Sequence, residues 1–326
     1  MTVNCWHLRA ELKKSCRHFF ENLAYLEIET PVLVKCPGTE VYLRYFDTQW
    51  TSHGGDRKQL YLRSSPELHM KMAFSDGCPR VFQFAPSFRN GGEFSEWHHP
   101  EFTMLEWYQE GLSYHELISQ TEDLLRSTAS HFSQKYGFES SKLLPERIER
   151  WSVFEMFENF LGFKLIDNDK HLAKRCIEAK VLSVTAEDDF DTAFSKCLIE
   201  RIEPELEKNK ATILMDYPPS QSALSVIEGG RACRFELYVG RIELCNGFYE
   251  LNGRAENQNR IGESFEKRRI AGLGDIPIDE EFLDSTARIS RPYSGNALGF
   301  DRWLAILCGH RNLDIVVPFR NAKVWR

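Results

Sequence analysis

The sequence has no apolar run approaching the ~18 residues that a membrane helix needs, and MTVNCWHLRAELKKSC at its start lacks the apolar core of a signal peptide. We therefore expect a cytoplasmic protein with no membrane partner. Its nine cysteines form no CxxC pair and no Cys/His cluster at zinc spacing, so they read as reduced thiols. No Pro/Ser-rich linker, low-complexity tract or internal repeat divides the chain, which predicts one domain across 1–326. A net charge of −7 with no Lys/Arg-rich block argues against a dominant nucleic-acid surface. What is plentiful is core material: 42% of the 326 residues are hydrophobic.

The most informative stretch is VFQFAPSFRNGGEFSEWHHPEFTMLEWY, Val81 to Tyr108. It reads as strand, polar loop, strand. In the second strand Phe102, Met104, Glu106 and Tyr108 share one face, while Thr103, Leu105 and Trp107 share the other. The second face is ordinary core. The first sets a carboxylate and a phenol beside an aromatic ring, and Arg89 stands where the first strand enters the loop. An arginine fork suits a phosphate and a carboxylate suits an ammonium, so the grouping fits a zwitterion beside a nucleotide. FRN…HHPEFTMLEWY resembles motif 2 of the class II aminoacyl-tRNA synthetases in their lysyl form.

The rest of the chain follows in order. Leu8, Leu12, Cys16, Phe19, Phe20 and Leu23 predict an amphipathic helix over 7–23, leading into a strand at Tyr25–Leu33 that carries Pro31. Helix, strand and proline resemble motif 1, which implies a homodimer. LYLRSSPELHMKMAF predicts a strand and then a helix that Ser65 caps, Pro66 opens and Glu67 complements electrostatically. Its SPE resembles the tripeptide with which lysyl-type enzymes contact the amino acid, so Ser65, Pro66 and Glu67 are assigned to substrate binding. Ser113 with Glu116, and Ser152 with Glu155, open two further helices as capping boxes. The charged region at about 134–210 reads as a helical insertion without chemistry.

RFELYVGRIELCNGFYELNG, Arg234 to Gly253, predicts a hairpin turning at Gly240 and Arg241. In that register Tyr238 faces Glu243 and Glu236 faces Cys245, leaving Glu236 and Glu243 as diagonal neighbours. Two carboxylates on one face call for a cation between them, and hard oxygen ligands suit Mg²⁺. Asn246, Phe248 and Glu250 have the opposite parity to Glu243, which a bulge near Gly247 would reconcile. IELCNGFYEL resembles the lysyl-type block in which the first Glu and its neighbour bind ATP and magnesium. The later Asn, Phe and Glu of that block hold the substrate, which implies Glu243 and Leu244 for ATP, and Asn246, Phe248 and Glu250 for substrate. GNALGFDRWLAIL, Gly295 to Leu307, resembles motif 3; its small residues admit a nucleotide, Arg302 supplies a second phosphate fork, and Asp301 positions a neighbour.

The resemblance thus spans the chain and implies an α+β fold, the class II synthetase catalytic domain, with an antiparallel sheet flanked by helices. A lysyl-tRNA synthetase also carries an N-terminal OB-fold domain that reads the anticodon, for which this chain has no room. The free-standing form resembles the bacterial elongation factor P–lysine ligases, and Ala297 stands where those ligases have alanine and the tRNA enzymes glycine. The resemblance implies ATP and Mg²⁺ as cofactors, lysine or (R)-β-lysine as substrate, elongation factor P as partner, and no tRNA. Arg89 and Arg302 are the implied catalytic residues. Asn90, Gly91, His98, His99, Phe102 and Gly299 join them at ATP, and Glu106, Tyr108 and Ala297 line the substrate pocket. Departures concentrate in the motif 2 loop. Gly91 and Gly92 replace the family's Glu, which Glu93 supplies from a shifted position, and His99 replaces an Asn. The alternatives are a minimal lysyl-tRNA synthetase and a non-catalytic relative.

Overall fold

A computed structural model describes residues 4–92, 94–206 and 211–320. Residues 1–140 with 250–326 form one compact unit, and 141–249 a second. The first unit is built on three antiparallel strands, Arg80–Phe88, Glu101–Glu110 and Tyr293–Gly299, with Leu26–Glu27 parallel on the outer edge of Arg80–Phe88. Register sets Gln83 and Ala297 on either side of Glu106, and Val81 and Gly295 on either side of Tyr108. The alternation of the middle strand therefore propagates sideways into two chemically different faces.

One face is core. Phe82, Leu105, Trp107 and Leu298 are buried. Helix Cys5–Asn22 buries Leu8, Leu12, Cys16 and Phe20, one per turn, and Phe20 stacks on Phe82 at 4.7 Å. Helix Tyr114–Tyr136 starts with the Ser113/Glu116 capping box and ends at Gly137 in the left-handed conformation. It ties to the sheet through Trp107 Nε1 donating to Gln120 and Asn296 Nδ2 donating to Thr121, at 2.9 and 2.7 Å. The opposite face carries Phe102, Met104, Glu106 and Tyr108 beside Gly295, Ala297 and Gly299. Small residues on the third strand leave room above that face.

One expected element is absent. Tyr25–Leu33 is not a single strand: Leu26–Glu27 pairs with Val81 and Phe82, whereas Leu33–Val34 pairs with Tyr61 and Leu62 in a separate sheet with Arg57–Leu62 and Asp47–Thr51. Pro31, lacking an N–H, stands in the break, and buried Arg63 donates to the carbonyls of Thr30 and Pro31 there.

In the second unit the strands run Ile242–Tyr249, Arg231–Val239, Ala211–Tyr217, Glu149–Ser152, the last pairing parallel. Val153–Leu161, opened by the Ser152/Glu155 capping box, packs with Leu172–Glu178 and Phe190–Cys197 around Phe157, Cys176, Phe194 and Leu214. The stretch expected to be a helical insertion thus also supplies a strand to this sheet. No helix among the described residues is long and apolar enough to cross a membrane.

Candidate active site

The amine-binding expectation resolves into a buried polar cluster in the first unit. Helix Glu67–Ser75 has Pro66 rather than the expected Ser65 at its N-cap; Ser65 Oγ still accepts from Glu67 N–H at 3.0 Å, and it donates to Glu106 Oε1 at 2.7 Å. Tyr108 Oη donates to Glu106 Oε2 at 2.9 Å. Glu250, just outside the second unit, donates its N–H to Tyr293 O, which draws its side chain over the same face. Pro66 is buried ahead of the helix. Ser65, Glu67, Glu106, Tyr108 and Glu250 are thus brought together, but Glu106 and Tyr108 are buried rather than set at a wet surface. Gly295 makes the arrangement possible, because a Cβ there would lie 2.1 Å from the Tyr108 ring and 2.9 Å from Glu250 Oε1.

Reading the sequence missed two members. Lys71 lies one helical turn after Glu67, 1% exposed, with Nζ 2.5 Å from Glu67 Oε1 and 2.5 Å from Glu250 Oε2. Tyr293 is fully buried and its hydroxyl has no hydrogen-bond partner among the described residues. The Glu67–Lys71 spacing was the signal for the first; Tyr293 offered none.

Burial dominates the electrostatics. It pushes the Glu106 carboxyl up to about 7 against the hydrogen bonds from Ser65 and Tyr108, and the Glu250 carboxyl up to about 8 against the charge of Lys71. For Lys71 burial favours loss of the proton, but Glu250 and Glu67 outweigh it and hold the ammonium charged. The ligand-free fold therefore keeps carboxyl protons that an unfolded chain loses near pH ~4.3. Stability from these two groups is full below that value and is lost as pH rises through about 7 and about 8. The melting temperature of the free protein should fall between about pH 6 and about pH 8.5, and Glu106→Gln should flatten the fall. Melts showing a rise across this window would contradict the assignment.

At the other end of the face Arg89 lies over the Phe102 ring at 5.3 Å, and its buried Nε has no hydrogen-bond partner among the described residues. That orphaned donor is what a phosphate would satisfy. Phe102 and Glu106 are four residues apart on one strand, roughly 13 Å, so the two ends are separated along the sheet. Arg302 donates to Trp97 O at 3.2 Å and to His98 Nε2 at 2.9 Å. The second bond makes Nε2 an acceptor, so His98 is neutral and donates through Nδ1 to Ser95 Oγ at 2.9 Å. His99 is buried and its Nδ1 bonds Glu101 O. Asn90 is exposed and pairs with Arg44 through the backbone, and Gly91 has positive φ against the Arg44 side chain. Glu93 lies outside the described residues. Gly299 precedes helix Phe300–Leu307, and Asp301 bonds Arg9 and accepts from Thr103 N–H, a positioning role.

The second unit holds the remaining candidates. The hairpin turns at Gly240 and Arg241 with Tyr238 opposite Glu243, but Glu236 faces Asn246 rather than Cys245. The register shifts at Leu244, which is the extra residue of a bulge, and not near Gly247. Gly247 is small because the Phe235 ring lies where its Cβ would be. The shift puts Arg234, Glu236, Tyr238, Glu243, Asn246 and Phe248 on one face, so the parity conflict disappears. The cation answering the two carboxylates is Arg234, missed earlier: it forms an ion pair with Glu236 and lies 4.4 Å over the Tyr217 ring. Burial works against its charge, yet Glu236 and Glu243 raise its pKa overall. Glu236 also accepts from Tyr238 at 2.7 Å, so both its oxygens are engaged. Asn246 Oδ1 is buried without a hydrogen-bond partner among the described residues, and the Leu244 side chain is core.

Comparison with known proteins agrees in extent. The family described as tRNA synthetases class II (D, K and N) matches residues 2–323. Proteins named elongation factor P--(R)-beta-lysine ligase from Salmonella gallinarum (strain 287/91 / NCTC 13346) and Salmonella paratyphi B (strain ATCC BAA-1250 / SPB7) are each 35% identical over 317 residues, covering 95% of this chain and 93% of theirs. The protein of that name from Salmonella schwarzengrund (strain CVM19633) gives the same figures, 35% over 317 residues.

Proposed function

We propose, from the premise that this chain belongs to the class II tRNA synthetases (D, K and N), that it is an ATP-dependent ligase which activates (R)-β-lysine or lysine and transfers it to a lysine side chain of elongation factor P. The observation that carries the substrate half is the cluster of three carboxyl groups, Glu67, Glu106 and Glu250, around a single ammonium, Lys71, which gives an incoming cation acidic partners to pair with. The relatives' printed name supports the acceptor.

The substrate carboxylate attacks the α-phosphorus of ATP; the bond to the bridging oxygen breaks, and pyrophosphate leaves. A protein lysine amine then attacks the acyl carbon, an amide forms, and AMP departs. Positioning and charge stabilisation do most of this work. Arg89 holds the α-phosphate and Phe102 the adenine. Arg302 exchanges Trp97 O and His98 for the distal phosphates, which are stronger, charged acceptors. Asn90, Gly91, His98, His99 and Gly299 shape the nucleotide's surroundings. By resemblance Glu236 and Glu243 are the carboxylates that would hold Mg²⁺, hard oxygen ligands of the kind it takes, and Glu236 is also engaged by Arg234 and Tyr238. Asn246 and Phe248 belong by resemblance to the substrate, and a homodimer is part of this reading.

Ala297 sits opposite Glu106, so its methyl group borders the pocket. Ala297→Gly is expected to shift relative kcat/KM toward α-lysine by roughly tenfold, the scale of a methyl-sized change. An unchanged ratio would remove Ala297 from the pocket wall. The proposed function itself is tested by pyrophosphate exchange. Exchange driven by lysine or (R)-β-lysine and not by norleucine is expected; no exchange with either diamino acid would leave a non-catalytic relative.

A further inference from the structure

A cation buried inside a pocket for cations needs an explanation. A methionine would fill the position of Lys71 beside Met70 and Phe74 without desolvating a charge, and buried ion pairs are often no more stable than apolar replacements. Lys71 donates to Glu67 Oε1 and forms a close ion pair with Glu250 Oε2, each at 2.5 Å. Glu67 Oε2 and Glu250 Oε1 are not used by it, and the latter points over Gly295, where a side chain is missing.

Charge counting gives the reason. The titratable groups acting on Lys71 and Glu250 are Glu67, Glu106, Tyr108 and Tyr293, and burial keeps both phenols neutral. In the free fold Glu106 and Glu250 hold protons that burial retains. Once a ligand's ammonium groups displace those protons, Glu67, Glu106 and Glu250 against a charged Lys71 leave −3 + 1 = −2, which two ammonium groups neutralise. A single ammonium leaves a surplus negative charge in a dry site. Lys71 works against the proton that burial puts on Glu250; without it that proton is held more tightly, and an ammonium must displace it at a higher pH to gain a charged acceptor.

We propose that Lys71 is a positioning residue that sets the pocket's specificity for a diamino acid, holding one oxygen each of Glu67 and Glu250 and leaving the second oxygen of each to the ligand's ammonium groups. The inference deepens the proposed function and rests on it for the ligand class. It gives Lys71 a role no contact with substrate would reveal.

Calorimetric binding of lysine and of norleucine, without ATP, tests it independently of the acceptor. The wild type is expected to favour lysine strongly at about pH 7.5. Lys71→Met should cut the lysine-to-norleucine affinity ratio by about tenfold or more and move the pH midpoint of lysine binding upward, one unit per tenfold. Lys71→Arg keeps the charge and should keep the midpoint. A folded Lys71→Met protein with ratio and midpoint unchanged overturns the proposal. If that variant fails to melt cooperatively, Lys71→Arg decides: a shifted midpoint or a lost ratio overturns it. A wild type that does not distinguish lysine from norleucine would instead refute the proposed function beneath it.

Discussion

Replacing Arg89 with alanine is expected to slow amino-acid-dependent pyrophosphate exchange by on the order of 10³-fold while moving the melting temperature by only a few degrees. The asymmetry follows from its surroundings. Arg89 makes no ion pair among the described residues; it lies over Phe102 at 5.3 Å with its buried Nε unsatisfied. Its removal therefore sacrifices a modest ring contact in the free protein, but loses the charge and fork that meet the α-phosphate as its geometry changes. Arg89→Lys should recover only part of the loss, because an ammonium offers no planar fork. Exchange in Arg89→Ala within tenfold of wild type would take Arg89 out of the chemistry.

Glu250→Gln is expected to act on binding and on folding together. The substitution keeps the shape but leaves Lys71 with one carboxylate partner instead of two, Glu67, whose side chain is 24% exposed. Breaking a buried pair costs roughly 3–5 kcal/mol when a charge is stranded; the surviving Glu67 contact puts this case at the lower end. In the liganded protein an ammonium also loses a charged acceptor, worth about 1.5–3 kcal/mol, so KM for the diamino acid should rise by roughly 10- to 150-fold. Melting temperature and KM from one preparation check both. A variant whose KM is unchanged, whatever its stability, would mean that Glu250 serves only to hold Lys71.

The elements carrying this chemistry differ in how readable they were. The faces of Glu101–Glu110 followed from strict alternation, a local rule, and the two capping boxes from side chains three residues apart. Lys71 was obscured because HMKMAF reads as a helix with an ordinary solvated lysine, and its second partner, Glu250, is 179 residues away (250 − 71). Arg234 was passed over for the opposite reason. It shares the face of Glu236 by simple alternation, two residues away, but the two carboxylates were assigned to a metal ion; the bulge, expected near Gly247, lies at Leu244 and adds Asn246 and Phe248 to that face. Bulges are set by how a strand packs, not by the residue that bulges. Tyr25–Leu33 had the composition of a strand, but Pro31 and the pull of Arg63 on two carbonyls divide it between two sheets.

The acceptor distinguishes a protein ligase from a tRNA-charging enzyme. Charging tRNA requires a surface complementary to a polyanion, and a net charge of −7 with no clustered basic stripe does not provide an obvious one. The deciding measurement is to supply labelled (R)-β-lysine and ATP to the protein with elongation factor P and, in parallel, with tRNA. Label is expected on one lysine side chain of elongation factor P, as an amide stable to mild alkali, with negligible label on tRNA. Label on tRNA as an alkali-labile ester, with elongation factor P unmodified under the same conditions, would contradict that expectation.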